Sequence, residues 1–300
     1  MDSKPAIAIH WLGSCGGCEE SVLDLAEELS IVLDRVHIAF CPMLTDFKTD
    51  DLEAKPDGAL LAAFISGCVI TDEHAETAVL LRRKSRVVVA FGACAHLGGV
   101  PGLANQFGMQ RVAETVMGPN GSPESIGPMV RTLDQVIAVD HYLPGCPPTA
   151  AMFGAALATV LDTVGRPAET VMAPDIALCD TCPRKETRRA EAAIAEIRRV
   201  QWTEIDPDDC LLNQGILCFG PGTRSGCGAA CIQANMPCTG CFGPTSSARD
   251  HGGKLIAATA AAVAGEDVDA VRAALAGLPD PVGSFYRYSL PGSLLRGRRT

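Results

Sequence analysis

The residues of this sequence most suited to chemistry are its fourteen cysteines. Cys15 and Cys18 form a Cys-x-x-Cys pair, Cys94 and Cys146 stand alone, and eight more lie between Cys179 and Cys241. Thiolates with such spacing are the ligands of iron-sulfur clusters, which exchange electrons with a partner. The pattern therefore predicts several clusters in one chain and a role in electron transfer.

Zinc is the alternative metal for the cysteines of the second half. Eight thiolates could bind two tetrahedral zinc ions and stabilise an interaction protein without a redox role. Zinc sites usually contain paired Cys-x-x-Cys units, whereas Cys210 to Cys218 and Cys227 to Cys231 are more widely spaced. This glycine- and proline-rich segment offers little apolar surface, so we expect inorganic clusters to serve as its core.

Composition restricts the class of protein. A hydrophobic content of 47% with 20% charged residues is typical of a soluble globular chain. The formal charge of -10 argues against a grip on nucleic acid phosphates. No export segment is recognisable, and the apolar runs are shorter than the roughly 20 residues that span a bilayer. We expect a cytoplasmic protein, without membrane insertion, whose partner is another protein.

Short apolar runs alternate with helical patterns in the first half, as a doubly wound parallel sheet requires. Apolar residues at helical spacing from Val22 to Leu29 predict one crossover helix, and Asn105 to Pro128 is expected to be a surface excursion. The predicted strands are Ala6 to Leu12, Val36 to Cys41, Gly58 to Ile65, Arg86 to Gly92 and Val136 to Val139. We expect an α/β fold, a flavodoxin-like doubly wound parallel sheet followed by an irregular, cysteine-rich iron-sulfur domain.

Four cysteines follow predicted strands at their carboxyl ends: Cys15, Cys18, Cys94 and Cys146. Carboxyl ends of parallel strands converge where such sheets bind cofactors, so these four thiolates can meet. Flanking glycines allow backbone N–H groups to approach bridging sulfides. Two further cysteines also end strand candidates but lack a paired cysteine or a Gly and Pro pattern, and we expect them to be structural: Cys41 and Cys68.

A change of composition after Gly165 and Pro167 marks a domain boundary, which predicts domains at 1–168 and 169–300. In the second domain, charged residues mixed with an apolar stripe predict a helix from Arg184 to Val200. Alanine-rich sequence from His251 to Ala276 predicts further helices that cover the cluster domain.

The motifs around the cysteines resemble those of a known family, the small subunit of nickel-iron hydrogenases, in particular the cytoplasmic methyl-viologen-reducing and deazaflavin-reducing types. The likeness covers nearly the whole chain. It includes Trp-Leu-Gly-Ser-Cys-Gly-Gly-Cys at Trp11 to Cys18, Pro-Gly-Cys-Pro-Pro at Pro144 to Pro148, and Pro-Cys-Thr-Gly-Cys-Phe-Gly-Pro at Pro237 to Pro244. A related subunit of respiratory complex I shares the first cluster region, but the eight later cysteines favour hydrogenase.

Three 4Fe-4S clusters are implied by the resemblance. Their ligands would be Cys15, Cys18, Cys94 and Cys146 for the proximal cluster, Cys227, Cys231, Cys238 and Cys241 for the medial cluster, and Cys179, Cys182, Cys210 and Cys218 for the distal cluster. Spacing alone leaves open an exchange of Cys210 and Cys231 between the last two clusters.

The resemblance also implies the partners. A hydrogenase large subunit would hold the nickel-iron centre and split dihydrogen, and this chain would pass the electrons to a further acceptor subunit, a flavoprotein or a ferredoxin-like adaptor. As an alternative, the large subunit of a hydrogenase-like complex could lack nickel and the chain would relay electrons between other redox partners. No catalytic residue is expected in this chain.

Overall fold

The computed structural model describes residues 4–44, 46–119, 125–162, 170–190, 194–265 and 267–295. The chain forms two compact units: Met1–Met172 with Leu290–Thr300, and Ala173–Ser289. The first unit contains the sheet, and the second contains eight of the fourteen cysteines. The described residues after Ser289, Leu290 to Leu295, group with the first unit, although the sequence prediction had placed them in the second domain.

The described strands of the first unit are β1 (Ala6–Trp11), β2 (His37–Phe40), β3 (Leu60–Ser66), β4 (Val69–Thr71), β5 (Ser85–Phe91), β6 (Ile126–Arg131), β7 (His141–Leu143) and β8 (Thr170–Val171). Six of them form the parallel main sheet, in the order β2-β1-β3-β5-β7-β8. The other two, β4 and β6, pair antiparallel with each other. The predicted parallel α/β sheet is confirmed, since the chain order reverses on either side of β1.

Helices connect these strands: α1 (Gly17–Leu23), α2 (Glu28–Arg35), α3 (Thr49–Glu53), α4 (Asp72–Lys84), α5 (Gly92–Leu97), α6 (Met109–Met117) and α7 (Ala150–Asp162). Successive strand residues point to opposite faces of the sheet. Ala63 and Ile65 of β3 therefore join one core with Leu81 of α4, while Phe64 joins the other with Phe153 of α7. A core on each face is what gives the strands their continuous apolar sequence.

Three local predictions in this unit are wrong, and the first is the strand at Val136 to Val139. A 3-10 turn at Leu133–Gln135 precedes this segment. Pairing with β5 begins only at Asp140, whose N–H donates to the Val88 carbonyl at 3.0 Å. Ile137 and Val139 are buried from a loop instead.

The first crossover also differs from the prediction, being two helices rather than one. The chain breaks between α1 and α2 at Ala26, whose φ is +49°, in the left-handed region that L-residues rarely adopt. The segment Asn105 to Pro128 is not simply a surface excursion, since it contains α6 and the start of β6. Asn105 is buried and bonds both the N–H and the carbonyl of Val130, at 2.8 and 2.9 Å, which ties this segment to β6.

The second unit contains short helices joined by 3-10 turns. The helices are α8 (Ala230–Gln233), α9 (His251–Ala260), α10 (Val268–Leu275) and α11 (Pro281–Phe285). The helices predicted within His251 to Ala276 are present as α9 and α10, and Asp250 and Asp267 cap them by accepting N–H bonds at 2.7 and 2.8 Å.

The helix predicted from Arg184 to Val200 is wrong for the residues that the structure describes there. Lys185–Thr187 is a 3-10 turn, and Ile194 and Arg198 form isolated bridges with Val263 and Ile216. The apolar stripe that suggested a helix is instead buried through extended pairing, as the N–H of Ile194 donates to Ala262 at 2.9 Å. Residues 191–193 of the predicted helix lie outside the described ranges.

Candidate metal centres

Four cysteine thiols gather at the carboxyl edge of the sheet in the first unit. Cys15 lies between β1 and α1, Cys18 in α1, Cys94 in α5 after β5, and Cys146 in the loop after β7. Burial raises the pKa of Cys18 far above its ordinary value, and repulsion from the neighbouring thiolates of Cys94, Cys146 and Cys15 adds to this. Three strand ends thus place four thiols within electrostatic reach of one another.

Ionising these thiols requires a positive partner. Burial raises the pKa of Cys94 to about 12, and the pKa of Cys146 is raised for the same reason. Thiolates are the form that binds metal, and bound cations lower thiol pKa values strongly. Cys18, Cys94 and Cys146 resist ionisation alone, and each is repelled by the thiolate of Cys15, so the four-thiol group fits a cationic iron-sulfur core.

Glycines keep space free around two of these sulfurs. A Cβ at Gly92, whose φ is +85°, would lie 2.3 Å from the Cys18 sulfur. A Cβ at Gly99, whose φ is +63°, would lie 2.3 Å from the Cys94 sulfur. Any side chain at either position would displace a thiol, so the sequence around the four cysteines is fitted to the positions of their sulfurs.

Cys41 and Cys68 differ in their surroundings. Cys41 is buried in the core of one sheet face with Val36. Cys68 is also buried, and its thiol donates to the Gly13 carbonyl at 3.3 Å. Cys68 lies near enough to Cys94 to raise the pKa of that thiol. Both fit a structural role, but Cys68 borders the four-thiol group.

A second group of four thiols lies in the other unit: Cys179, Cys182, Cys210 and Cys218. Burial raises the pKa of Cys179 to about 12; the Arg188 charge opposes this, and repulsion from Cys218, Cys182 and Cys210 adds to it. The structure thus places Cys210 beside Cys179, Cys182 and Cys218.

Backbone N–H groups point at two sulfurs of this group. The N–H of Arg184 donates to the Cys182 sulfur and the N–H of Cys238 donates to the Cys218 sulfur, each at 3.4 Å. Such N–H to sulfur bonds favour the thiolate form, and they lower the otherwise raised pKa of buried Cys218. This donor set fits a cluster, whose sulfurs usually accept hydrogen bonds.

The remaining cysteines lie between Cys227 and Cys241. Burial raises the pKa of Cys238 well above its ordinary value, and the thiolates of Cys218 and Cys241 raise it further. Cys231 is exposed in α8, where its carbonyl accepts the N–H of Met236 at 2.8 Å. Cys238 and Cys241 therefore lie together and adjoin the preceding group through Cys218.

A single-ion site is a different geometry. Among the residues that the structure describes, no three or more His, Cys, Asp or Glu side chains are arranged to hold one metal ion.

Glu19 is a buried acid that was not predicted as a site residue from the sequence. Its carboxyl group, 1% exposed, accepts a hydrogen bond from the Ser66 hydroxyl, and its second oxygen is buried without a hydrogen-bond partner. Burial raises the pKa of Glu19. Its position next to Cys18 was visible in the sequence, but its burial depends on β3, which is distant along the chain.

Comparison with known proteins finds relatives that are hydrogenase subunits. The F420-non-reducing hydrogenase iron-sulfur subunit of Archaeoglobus profundus is 34% identical over 96% of this chain and 97% of its own length. The corresponding F420-non-reducing hydrogenase subunit of Methanothermobacter thermautotrophicus is 35% identical over 98% of this chain and 97% of its own. The chain belongs to the family of F420-non-reducing hydrogenase iron-sulfur subunits.

The relatives named above confirm the predicted resemblance to nickel-iron hydrogenase small subunits. The family model described as NADH ubiquinone oxidoreductase, 20 Kd subunit, matches residues 15–160, which hold the first four-thiol group. A chain of the [NiFeSe] hydrogenase from Desulfovibrio vulgaris Hildenborough aligns with 82% of this chain and 95% of its own, with a TM-score of 0.56 and 16% identity, which supports the fold.

In this hydrogenase subunit, no described helix is both long and apolar enough to cross a membrane. The exposed cysteines of the first group are Cys15 and Cys146. The exposed Trp11 side chain lies beside them, with its ring 3.3 Å from the position of a Cβ at Gly16. The outer side of the four-thiol group is thus open to a partner surface.

Proposed function

We propose that this hydrogenase small subunit relays electrons through three 4Fe-4S clusters, between the nickel-iron centre of a large subunit and an acceptor subunit. The observation that carries the proposal is the grouping of thiols, four at the sheet edge and four that include Cys218, close enough to raise the pKa of Cys18 and of Cys179. A four-thiolate cluster needs such a group, and each cluster supplies one-electron transfer when bound.

The proximal cluster is assigned to Cys15, Cys18, Cys94 and Cys146. Two of these cysteines are exposed, so a cluster there would be open to solvent on one side unless a partner covered it. We assign that cover to the large subunit, because burial and exclusion of water tune cluster potentials. Gly92 and Gly99 hold the space that the inner two thiols occupy.

The distal cluster is assigned to Cys179, Cys182, Cys210 and Cys218, and the medial cluster to Cys227, Cys231, Cys238 and Cys241. Electrostatic contact of Cys210 with Cys179 supports this division over an exchange of Cys210 and Cys231. The Cys238 N–H that donates to the Cys218 sulfur would join the two ligand sets by one hydrogen bond. Such a bond provides a short path for an electron between them.

The acceptor subunit is assigned to a flavoprotein or a ferredoxin-like adaptor in the cytoplasm. The relatives are named as subunits of F420-non-reducing hydrogenases, which supports an acceptor other than F420. The exposed Cys231 places one end of the medial ligand set near the surface of this unit.

The test is anaerobic purification of the complex with its partner subunits, followed by nickel, iron and sulfide analysis. Dihydrogen should then reduce clusters in this chain, with electron paramagnetic resonance signals that disappear on reoxidation. Nickel with no hydrogen-dependent reduction would contradict the proposal. Iron with no nickel would favour the alternative in which the large subunit is a scaffold, and zinc with no iron would exclude clusters altogether.

A further inference from the structure

Arg184 is a buried cation in the second unit, with 6% of its surface exposed. One terminal nitrogen of its guanidinium donates to the carbonyls of Asp206 and Asp209 at 3.4 and 3.3 Å. The other donates to the carbonyl of Ile232 at 3.2 Å and to the amide oxygen of Asn235 at 2.7 Å. All four acceptors are neutral, so these bonds orient the charge without compensating it.

Two other buried cations, among the residues that the structure describes, have an acidic partner. Arg224, with a side chain 5% exposed, pairs with Asp175 at 2.9 Å, and Lys84, with a side chain 6% exposed, pairs with Asp57 at 3.1 Å. Within the described part of the chain, none of the ion pairs includes Arg184. Asp209 contacts Arg184 through its backbone carbonyl, and its carboxylate accepts the N–H of Cys210 and the side-chain amide N–H of Asn213, each at 2.8 Å.

A buried charge without a partner is strongly unfavourable, so folded proteins almost always supply an opposite charge nearby. The groups around Arg184 indicate what this charge is. Its own N–H donates to the Cys182 sulfur, one of its acceptors immediately precedes Cys210, and another immediately follows Cys231. Ligands assigned to two clusters thus flank a single guanidinium.

A four-thiolate 4Fe-4S cluster has a net charge of about −2 when oxidised and about −3 when reduced, and its potential depends on that charge and on hydrogen bonds. We propose that Arg184 is the charge partner of the clusters held by Cys182 and Cys231, a positioning residue that raises their reduction potentials. The cation stabilises the more negative reduced form, and its four acceptors hold the two ligand segments around it. This inference rests on the proposed function.

The test compares three variants in the anaerobic holoenzyme by redox titration with electron paramagnetic resonance. Arg184→Gln removes the charge and keeps N–H donors, whereas Arg184→Lys keeps the charge. Arg198→Gln is the control, because it removes an arginine of the same unit whose side chain is 56% exposed and paired with Glu196 at 3.7 Å.

Arg184→Gln should lower the equilibrium constant for one-electron reduction of at least one of these clusters about tenfold or more, which is a fall of about 59 mV or more in midpoint potential. Arg184→Lys should restore most of the fall, and Arg198→Gln should cause none. Unchanged potentials in Arg184→Gln at full iron content would overturn the inference.

If Arg184→Gln loses its clusters, the iron content and potentials of Arg184→Lys test the inference instead. Recovery of iron content and potential with lysine supports the charge role, since lysine lacks the guanidinium fork. Loss of clusters in both variants overturns it and leaves Arg184 a structural clamp. Wild-type protein without clusters would instead contradict the proposed function, so the two failures are distinguishable.

Discussion

Replacement of Gly92 by alanine is expected to remove the proximal cluster while leaving the fold in place. Gly92 follows β5 with a φ of +85°, and a Cβ there would lie 2.3 Å from the Cys18 sulfur and 3.5 Å from the Gly145 carbonyl oxygen. Atoms in contact normally stay about 3.5–4.0 Å apart, so the sulfur or the backbone must move by more than about 1 Å. A ligand displaced that far leaves the cluster incomplete.

The backbone term needs its own control. An L-residue in the left-handed region costs about 1–2 kcal/mol, which a stable domain tolerates. Gly108 has a φ of +80° and a ψ of 135°, a backbone conformation at least as unfavourable for alanine, and no atom lies within 4 Å of a Cβ there, so Gly108→Ala carries backbone strain without a collision. Any difference between the two variants therefore reports the contact with Cys18.

The assay is iron and sulfide content per chain after anaerobic purification, with circular dichroism to follow the fold. Gly92→Ala should lose about four of about twelve iron atoms, the content of one cluster. Gly108→Ala should keep them all. Full iron content and unchanged cluster spectra in Gly92→Ala would refute the assignment of Cys18, whereas equal losses in both variants would show that strain alone is responsible.

Three further predictions concern single side chains. Cys94→Ser should lose about four iron atoms per chain, whereas Cys41→Ser should keep them because Cys41 lies in the apolar core. The measurement is the iron content per chain of the two variants, and a loss in Cys41→Ser would contradict the structural role of Cys41. Burial lowers the pKa of His10 from 6.5 to about 4, so the free energy of unfolding should fall as the pH drops from 6.5 towards 4. Because the ring is partly exposed, we expect a fall of about 1–2 kcal/mol at pH 5. Denaturant titrations should show a smaller fall in His10→Gln than in wild type, and an equal fall in both proteins would be evidence against this role. Burial raises the pKa of Glu19, so ionisation of its carboxyl group is less favourable in the folded state. The free energy of unfolding of Glu19→Gln, relative to that of wild type, should therefore increase as the pH rises above 4.5. A difference between the two proteins that does not change with pH would contradict the raised pKa.

The sheet could be predicted because its strands are local and strongly apolar. Val87 to Phe91 reads as a strand buried on both faces, and β5 spans Ser85–Phe91. Val136 to Val139 has the same composition but is a loop, since strand pairing starts at the Asp140 N–H, a long-range bond that composition does not encode. The apolar stripe of Arg184 to Val200 fails for a similar reason, because Ile194 is buried by pairing beside Val263.

One part of the candidate site could be predicted from the sequence, and another part could not. The position of Cys15, Cys18 and Cys94 after strands follows from sequence order, because parallel strands place their carboxyl ends together. The surroundings of Cys210, the burial of Glu19 and the unpaired charge of Arg184 depend on segments that meet only after folding. Sequence periodicity describes a segment's own faces, so these contacts between distant segments require coordinates.

Metal analysis tests directly whether this hydrogenase subunit holds three 4Fe-4S clusters. The measurement is iron, acid-labile sulfide and zinc per chain in anaerobically purified protein, with Mössbauer spectra of the same sample. We predict about twelve iron and about twelve sulfide atoms per chain, all in four-iron clusters. About two zinc atoms with no iron would contradict the account.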